Sequence, residues 1–567
     1  MDMTKQALPE PIAVRSVDLA QPLTDLTDVG GYTTVKIFVN WAGRLLGHFE
    51  LEHRGQPVSA LRLRQAIADY LTFKVIEPDQ HQPDDLLWQR AINSMTETYL
   101  SASRTAEEEP VEHTVDLSQP LQAISHIGAD QPVITVRVVW QSQTLGYVYI
   151  PTYGQPVTIH QLCEAIADNL GIKLLKPLGG TQPTAWPGVV TALADHFFPA
   201  LTNGDAASPT LPPHVPVSIV VATLDRPDDL RVCLQSLLRQ ASPRPIEIVV
   251  VDNNPASGLT PPVVAEFPTV VLVNEARQGL AYARNAGFVA CTGEIAIATD
   301  DDVIAPPDWV ERLVAPFTRS DVMVVTGNVL PYELETPAQH YFEWYGGLGR
   351  GFERFEVNGD WFESHRFFSV PTWRLGATAN AAFRTTIFTH PEIGLMEESL
   401  GPGMPSGVGE DTYVFYKVLK AGYTVFYEPE AYVWHKHRRT MPALRKQLYN
   451  YSKGGVCYHL TLARNDGDLR GLVRIFCELP MAYIWRFKQW WWGANQFPLA
   501  LILLEMWGNL MGFGAFFASR RRAKRLGRSA TYIPVAQRQT APNQLETERT
   551  APTVQQRRNL NLEAIGS

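Results

Sequence analysis

Val217-Ser-Ile-Val-Val-Ala-Thr-Leu-Asp-Arg-Pro227, followed by Ile246-Glu-Ile-Val-Val-Val-Asp-Asn-Asn-Pro255, is the pair of segments on which the fold turns. Ser218–Ala222 is a short apolar run closed by Pro227. Leu230, Cys233, Leu234, Leu237 and Leu238 then share one helical face. Ile246–Asp252 is a second apolar run, ending in an acid and an Asn-Asn-Pro turn. Runs of this length bounded by turn residues read as buried strands. Strand, helix, strand in that order predicts a parallel βαβ unit, whose ligands sit beyond the carboxyl ends of the strands. Asp225 and Asp252 both fall at that edge. One acid there is commonly a turn former. Two in successive units predict a ligand crevice.

Two further stretches lie downstream. Arg277-Gln-Gly-Leu-Ala-Tyr-Ala-Arg284-Asn-Ala-Gly287 reads as a mostly apolar helix carrying one guanidinium, which suits bidentate bonds to a phosphate. Glu294-Ile-Ala-Ile-Ala-Thr-Asp300-Asp301-Asp302 places three carboxylates at the end of an apolar strand. Adjacent carboxylates repel unless solvent screens them or a cation neutralises them. Mg²⁺ or Mn²⁺ favours such hard oxygen ligands and completes its shell with diphosphate oxygens and water.

The chain's 567 residues predict three or more domains, and 45% hydrophobic with 19% charged residues describes a folded protein. A net charge of −9 argues against nucleic acid as a partner. Five scattered cysteines without a CxxC pair predict neither disulfides nor zinc, and a reducing setting. With no apolar leader in MDMTKQALPEPIAV, a cytoplasmic location is expected.

The first two hundred residues repeat. Trp41, Leu46-Gly47, Gly55-Gln-Pro-Val58 and Ala66-Ile-Ala-Asp69 recur 99 residues on as Trp140, Leu145-Gly146, Gly154-Gln-Pro-Val157 and Ala165-Ile-Ala-Asp168. This register predicts two tandem α+β modules, 1–104 and 105–204. In each, a strand (Val35, Ile37, Val39; Ile134, Val136, Val138) leads through a turn to a second strand and a helix capped by Ser59 or Thr158. Further amphipathic stretches are expected at Leu86–Tyr99 and Pro187–Phe198. No chemistry-bearing cluster recurs in both copies, so docking to a protein partner is the expected role. Residues 205–216 read as a Pro-rich linker, and 217–440 as the α/β domain.

After Arg438 the pattern turns aromatic and apolar, predicting a helical region over 441–528 and a disordered tail over 529–567. Phe497–Ser519 is the most apolar stretch, but Glu505 and Asn509 interrupt it, and a basic run from Arg520 to Arg525 follows. That suits a helix lying in, or crossing, an anionic membrane face, association being favoured over spanning; the soluble alternative is a hydrophobic helical cap on the α/β domain. Tyr341, Trp344, Tyr345, Trp361 and Trp373 offer an aromatic platform for a ligand.

Taken in order, Thr-x-Asp-Arg, Val-Val-Asp-Asn, Ala-Arg-Asn-x-Gly, Asp-Asp-Asp, Gly376-Ala-Thr-Ala-Asn380, Gly409-Glu410-Asp411 and Trp434-His435 resemble a family 2 glycosyltransferase of GT-A fold over about residues 217–437. The sequence departs from it at Leu224-Asp225, where the family commonly has an aromatic residue followed by Asn. The resemblance implies an inverting transferase moving a sugar from a nucleotide-diphosphate donor to a hydroxyl of a glycan or lipid-linked acceptor. Polysaccharide or glycolipid synthesis at the inner face of the cell membrane would be its setting. It implies Thr223, Asp225 and Asp252 around base and ribose with Arg284 nearby, and Asp300 and Asp302 on the cation with His435 completing its site. Asp301 would touch ribose or sugar. Asp411 would be the base that takes the acceptor proton, and Glu410 would orient the acceptor or assist Asp411. Two other readings stand beside this one: a nucleotidyltransferase, which would need a Gly-rich basic loop not visible here, and a nucleotide-sugar-binding scaffold without turnover.

Overall fold

The computed structural model describes residues 211–538, except 353 and 493–496, and parts of residues 9–70 and 113–170. The chain divides into two compact units, Ile12–Ser208 and a second made mainly of Pro209–Ser567.

In the first unit, β1 (Ile12–Asp18), β2 (Thr34–Trp41) and β3 (Arg44–Glu52) form one sheet, and β4 (His113–Asp116), β5 (Val133–Trp140) and β6 (Gln143–Pro151) form another. Both have a parallel pair followed by an antiparallel hairpin. Both hairpins shift register at matching places, Val39/Asn40 and Val138/Val139. The bridge Leu26–Val58 has a counterpart in Ile124–Val157. Val35, Ile37 and Val39 are buried, as are Ile134, Val136 and Val138, and one apolar cluster draws on both sheets. The Ser59 hydroxyl accepts from the Arg62 N–H at 3.3 Å, as a helix cap does. The stretches 86–99 and 187–198 lie outside the described residues.

The second unit is built on a nine-stranded mixed sheet. Its strands are β7 (Val217–Thr223), β8 (Ile246–Asp252), β9 (Val271–Asn274), β10 (Ile295–Asp300), β11 (Val303–Ile304), β12 (Val322–Pro331), β13 (Phe355–Val357), β14 (Asn380–Arg384) and β15 (Thr424–His435). Along the sheet they run β11-β15-β12-β14-β10-β7-β8-β9, with β13 pairing antiparallel to the amino-terminal part of β15. β10, β7, β8 and β9 are parallel; β14 is antiparallel to both of its neighbours, β10 and β12. The helices that matter to the site are α1 (Pro227–Leu237), α2 (Leu280–Ala290), α3 (Pro337–Tyr345), α4 (Glu410–Lys420), α5 (Met441–Thr461), α6 (Leu479–Trp491) and α7 (Leu499–Leu526).

β7 and β8 flank α1 as the leading segments predict, and Leu230, Cys233, Leu234 and Leu237 bury its inner face while Leu238 stays exposed. Each such side chain taken from water contributes roughly 1.5–3 kcal/mol. On the other face of the sheet α2 packs so closely that a Cβ on Gly287 would lie 2.3 Å from Val220 Cγ1. That closeness holds Arg284, one turn earlier on the same helix, against the strand ends.

α7 lies along α5 through Gly508 and Gly512, where an added Cβ would meet Tyr449 O at 2.8 Å and Val456 Cβ at 2.6 Å. Glu505 is buried but paired with Arg486 at 2.7 and 3.0 Å, and Asn509 donates to the Tyr483 hydroxyl. The two polar residues that break the apolar run are thus satisfied on the inner side of the helix. Among the described residues, α7 is one helix long and apolar enough to cross a membrane. Two expectations shift here. Tyr341 and Tyr345 pack with Phe497 and Leu448 in a core, and only Trp344 of that helix is well exposed, so they form no open platform. The chain also stays attached beyond residue 529: the Ser529 N–H donates to Glu398, and Tyr532 is buried against Phe388.

Candidate active site

Register places the acids. In the β7–β8 ladder Thr223 pairs with Asp252, and in the β7–β10 ladder Ala222 pairs with Asp300. The carboxyl ends of three parallel strands therefore stand side by side. Asp225 follows with φ of 56° and accepts from the Asn254 side-chain amide at 2.8 Å. The left-handed region explains the residue choice, since Asp and Asn tolerate it best after glycine. Asp252 is fully buried and accepts from the Asn254 N–H; burial pushes its carboxyl above the usual range.

Asp300, Asp302 and His435 each present one ligand atom within 4.8 Å of the others. The short β11 makes this possible, because Val303 pairs with His435 and brings β15 beside the acid triplet. His435 Nε2 lies 3.3 Å from Asp302 Oδ1, a buried oxygen to which nothing donates. Two carboxylates and an imidazole around such an oxygen fit a hard divalent cation. Burial opposes the ionisation of Asp302, but His435, Arg226 and Arg438 hold it below the usual carboxylate range. His435 itself is pushed down by burial. Lowering favours the neutral imidazole that a metal ligand must be. Behind His435, its Nδ1 is 3.0 Å from His437 Nδ1, and His437 Nε2 is 2.8 Å from Glu343 Oε1 on α3.

Four of the expected site residues are engaged by other protein groups. Asp301 is buried, accepts from the Thr223 hydroxyl at 2.7 Å and pairs with Arg226 at 3.2 Å. Burial and the neighbouring Asp302 push it up to about 7. Thr223 is engaged by the same bond. Arg284 is enclosed and donates to Asp300 at 2.7 Å, Thr378 at 2.5 Å and Glu410 at 3.2 Å, so protein groups take the guanidinium expected to reach a phosphate. Glu410 accordingly faces inward; burial and the Asp411 charge push it up to about 8, against the pull of Arg284.

Gly409, at φ of 113°, turns the chain into α4, so Glu410 and Asp411 are its first two residues. The helix start and the carboxylate pair are one feature, and a helix amino terminus favours negative charge. Asp411 is half-buried; its Oδ1 accepts from the Thr412 N–H at 2.7 Å. Tyr451 on α5 is raised to about 12, mostly by burial and in part by the Asp411 charge. Asn380, from the Gly-Ala-Thr-Ala-Asn motif, is a strut: it donates to Asn328 O and Ala431 O and accepts from Trp309.

Sequence reading missed Arg226, which reaches Asp302 Oδ2 at 2.5 Å, and also Thr378, His437 and Glu343. A signal existed for two of them. Arg226 belongs to the Thr-x-Asp-Arg motif, and His435 and His437 stand two apart, on one face of an extended chain. Thr378 and Glu343 come from distant segments and carry no local mark.

A mixed sheet with its acids gathered at the parallel ends and a helix-borne carboxylate downstream agrees with a GT-A glycosyltransferase fold. Residues 218–388 match the model of Glycosyl transferase family 2. The chain is 26% identical over 249 residues to the pre-mycofactocin glycosyltransferase of Mycobacterium tuberculosis, covering 43% of this chain and 48% of that protein. It thus spans about half the length of that curated relative. It is 26% identical over 268 residues to the succinoglycan biosynthesis protein ExoM of Rhizobium meliloti, covering 45% of this chain and 77% of that one. A solved mannosyltransferase from Pyrobaculum calidifontis, in complex with GDP-Man and Mn²⁺, aligns with a TM-score of 0.34 and 16% identity, over 61% of this chain and 85% of that one.

Proposed function

We infer that the chain is an inverting, cation-dependent glycosyltransferase that uses a nucleotide-diphosphate sugar and a hydroxyl acceptor. The observation that carries this reading is the facing of His435 Nε2 and the donorless Asp302 Oδ1 at the strand edge, beside Asp300. Asp300, Asp302 and His435 would hold Mg²⁺ or Mn²⁺, and a bound cation would offset the charge that builds on the departing diphosphate. Asp225 and Asp252 would bind base and ribose. Asp411 takes the acceptor proton as the acceptor oxygen attacks the anomeric carbon, while the bond to the diphosphate breaks on the opposite side. Arg226 and Arg284 hold the carboxylates apart in fixed positions, so little reorganisation is left for the reaction.

Polysaccharide or glycolipid synthesis at the cytoplasmic face of a membrane suits both the ExoM likeness and the carboxyl-terminal helices. α6 and α7 leave Met481, Trp485, Trp491, Trp507, Leu510 and Phe517 exposed, and Arg520–Arg525 follow. α7 turns its other side to α5, so the helix lies in the plane of an anionic leaflet rather than across it. The matched strand pairings of the first unit support duplication of one module, with a protein partner as its ligand.

Two tests follow. Nucleotide-diphosphate release across a panel of nucleotide sugars is expected only with Mn²⁺ or Mg²⁺ present, and Asp302→Ala is expected to abolish it. Equal turnover in excess chelator would refute the cation role, and nucleotide binding without turnover on any donor would favour the scaffold reading. In flotation assays the protein is expected to rise with anionic vesicles and to be released by alkaline carbonate. Trp485→Glu with Trp507→Glu should reduce that binding severalfold, whereas carbonate-resistant protein would mean a spanning helix.

A further inference from the structure

We propose that His437 and Glu343 are positioning residues that fix the proton on His435 Nδ1 and so turn the bare Nε2 lone pair toward the cation. The inference rests on the cation reading above and deepens it.

A neutral imidazole carries one N–H and one lone pair, and which nitrogen holds the proton is set by its partners. Here the partners form a line: Asp302 Oδ1, His435, His437, Glu343 Oε1, with successive separations of 3.3, 3.0 and 2.8 Å. Both rings are buried, and the His437 side chain has no exposed surface. Protons can run along the line in two directions. In one, His437 Nε2–H donates to the Glu343 carboxylate, His437 Nδ1 accepts from His435 Nδ1–H, and His435 Nε2 is left bare. In the other, His435 Nε2–H points at Asp302. A neutral His437 must then either set its lone pair against the Glu343 carboxylate at 2.8 Å or, if it donates to Glu343, face the bare His435 Nδ1 with its own lone pair at 3.0 Å; each puts two acceptors in close contact with no proton between them.

The first direction therefore satisfies the Glu343 end and leaves two acceptors, His435 Nε2 and Asp302 Oδ1, facing each other at the other end. Asp302 Oδ1 is the oxygen to which nothing donates. A divalent cation is the group that two facing lone pairs can share. α3 thus reaches the cation site through two rings, although none of its residues touches it. Histidine ligands are commonly oriented in this way by a carboxylate or carbonyl on the other ring nitrogen, and removing that partner lowers metal affinity about 10–100-fold. The present chain has one more ring than that arrangement, and Phe342 packs edge-on against His437 to hold it.

The test is Mn²⁺ affinity of the full chain, measured by the electron paramagnetic resonance of free Mn²⁺, with no donor present. His437→Ala is expected to weaken binding about 10–100-fold. Glu343→Ala should weaken it in the same sense. His437→Gln should recover most of the loss, because its carbonyl can accept from His435 Nδ1–H while its amide donates to Glu343. If His437→Ala does not fold, judged by thermal unfolding of the metal-free protein, Glu343→Ala at a half-exposed position carries the same test. Native-like Mn²⁺ affinity in both alanine variants, with Asp302→Ala abolishing binding, would overturn this proposal and leave the cation reading standing. Failure of the native chain to bind Mn²⁺ would overturn both. A His437→Gln variant as weak as His437→Ala would assign His437 to packing alone.

Discussion

Asp411→Asn is expected to lower kcat by about 10²–10⁴, the usual contribution of a positioned general base, and to leave the KM for donor and the Mn²⁺ affinity near native. The amide is isosteric, and its carbonyl can still accept from the Thr412 N–H that Asp411 Oδ1 engages at 2.7 Å, so α4 keeps its first turn. What disappears is an oxygen able to take a proton. Asp411 suits that work better than Glu410 because it is half-buried at the helix start, whereas Glu410 is enclosed and tied to Arg284. Glu410→Gln should accordingly cost much less in kcat than Asp411→Asn. Steady-state kinetics with a soluble acceptor measure both. A larger loss in Glu410→Gln than in Asp411→Asn would reverse the two assignments.

The parallel half of the sheet was legible because its strands are buried on both faces and read as unbroken apolar runs, each closed by an acid or a turn. Val217–Thr223, Ile246–Asp252 and Ile295–Asp300 all began and ended within a residue or two of where the sequence placed them. The antiparallel insertion of β14 was not legible. Asn380–Arg384 is short, and the Asn380 side chain ties it to two carbonyls, one on neighbouring β12 and one on β15 beyond it, which is information of long sequence separation. The same division holds in the site. Asp300, Asp302 and His435 come together, because an acid triplet after a strand and a Trp-His pair are local patterns. The partners of Asp301, Thr223 and Arg284 were not legible for one reason: each is a polar group at the crevice edge that a protein group from a distant segment engages. A sequence shows which groups can bind a ligand, but not which are already spoken for.

Arg284 carries the largest stability prediction. It is the charge that Asp300 and Glu410 share, enclosed with 2% of its side chain exposed. Removing one member of a buried ion pair typically costs about 3–5 kcal/mol, because the partner is left charged and dry. Here two effects set the loss nearer the lower figure. Asp300 is partly open to solvent or to a cation, and Glu410 can escape its charge by holding a proton. Arg284→Ala is therefore expected to lose about 3 kcal/mol at neutral pH by denaturant unfolding. The pH dependence follows from the raised Glu410 carboxyl. Its ordinary value is 4.5 and its folded value about 8. Between those values the folded state holds a proton that the unfolded state has released, so stability falls as pH rises through the window. Without Arg284 the folded value climbs further, and the decline should continue at the same slope above pH 8. Adding Glu410→Gln removes the titrating group, and the double variant should lose that extended decline and regain part of the stability. An Arg284→Ala protein whose stability is flat from pH 5 to 9 would show that Glu410 stays charged without its partner. The cluster would then be solvated rather than sealed, and Arg284 would again be free to meet a phosphate.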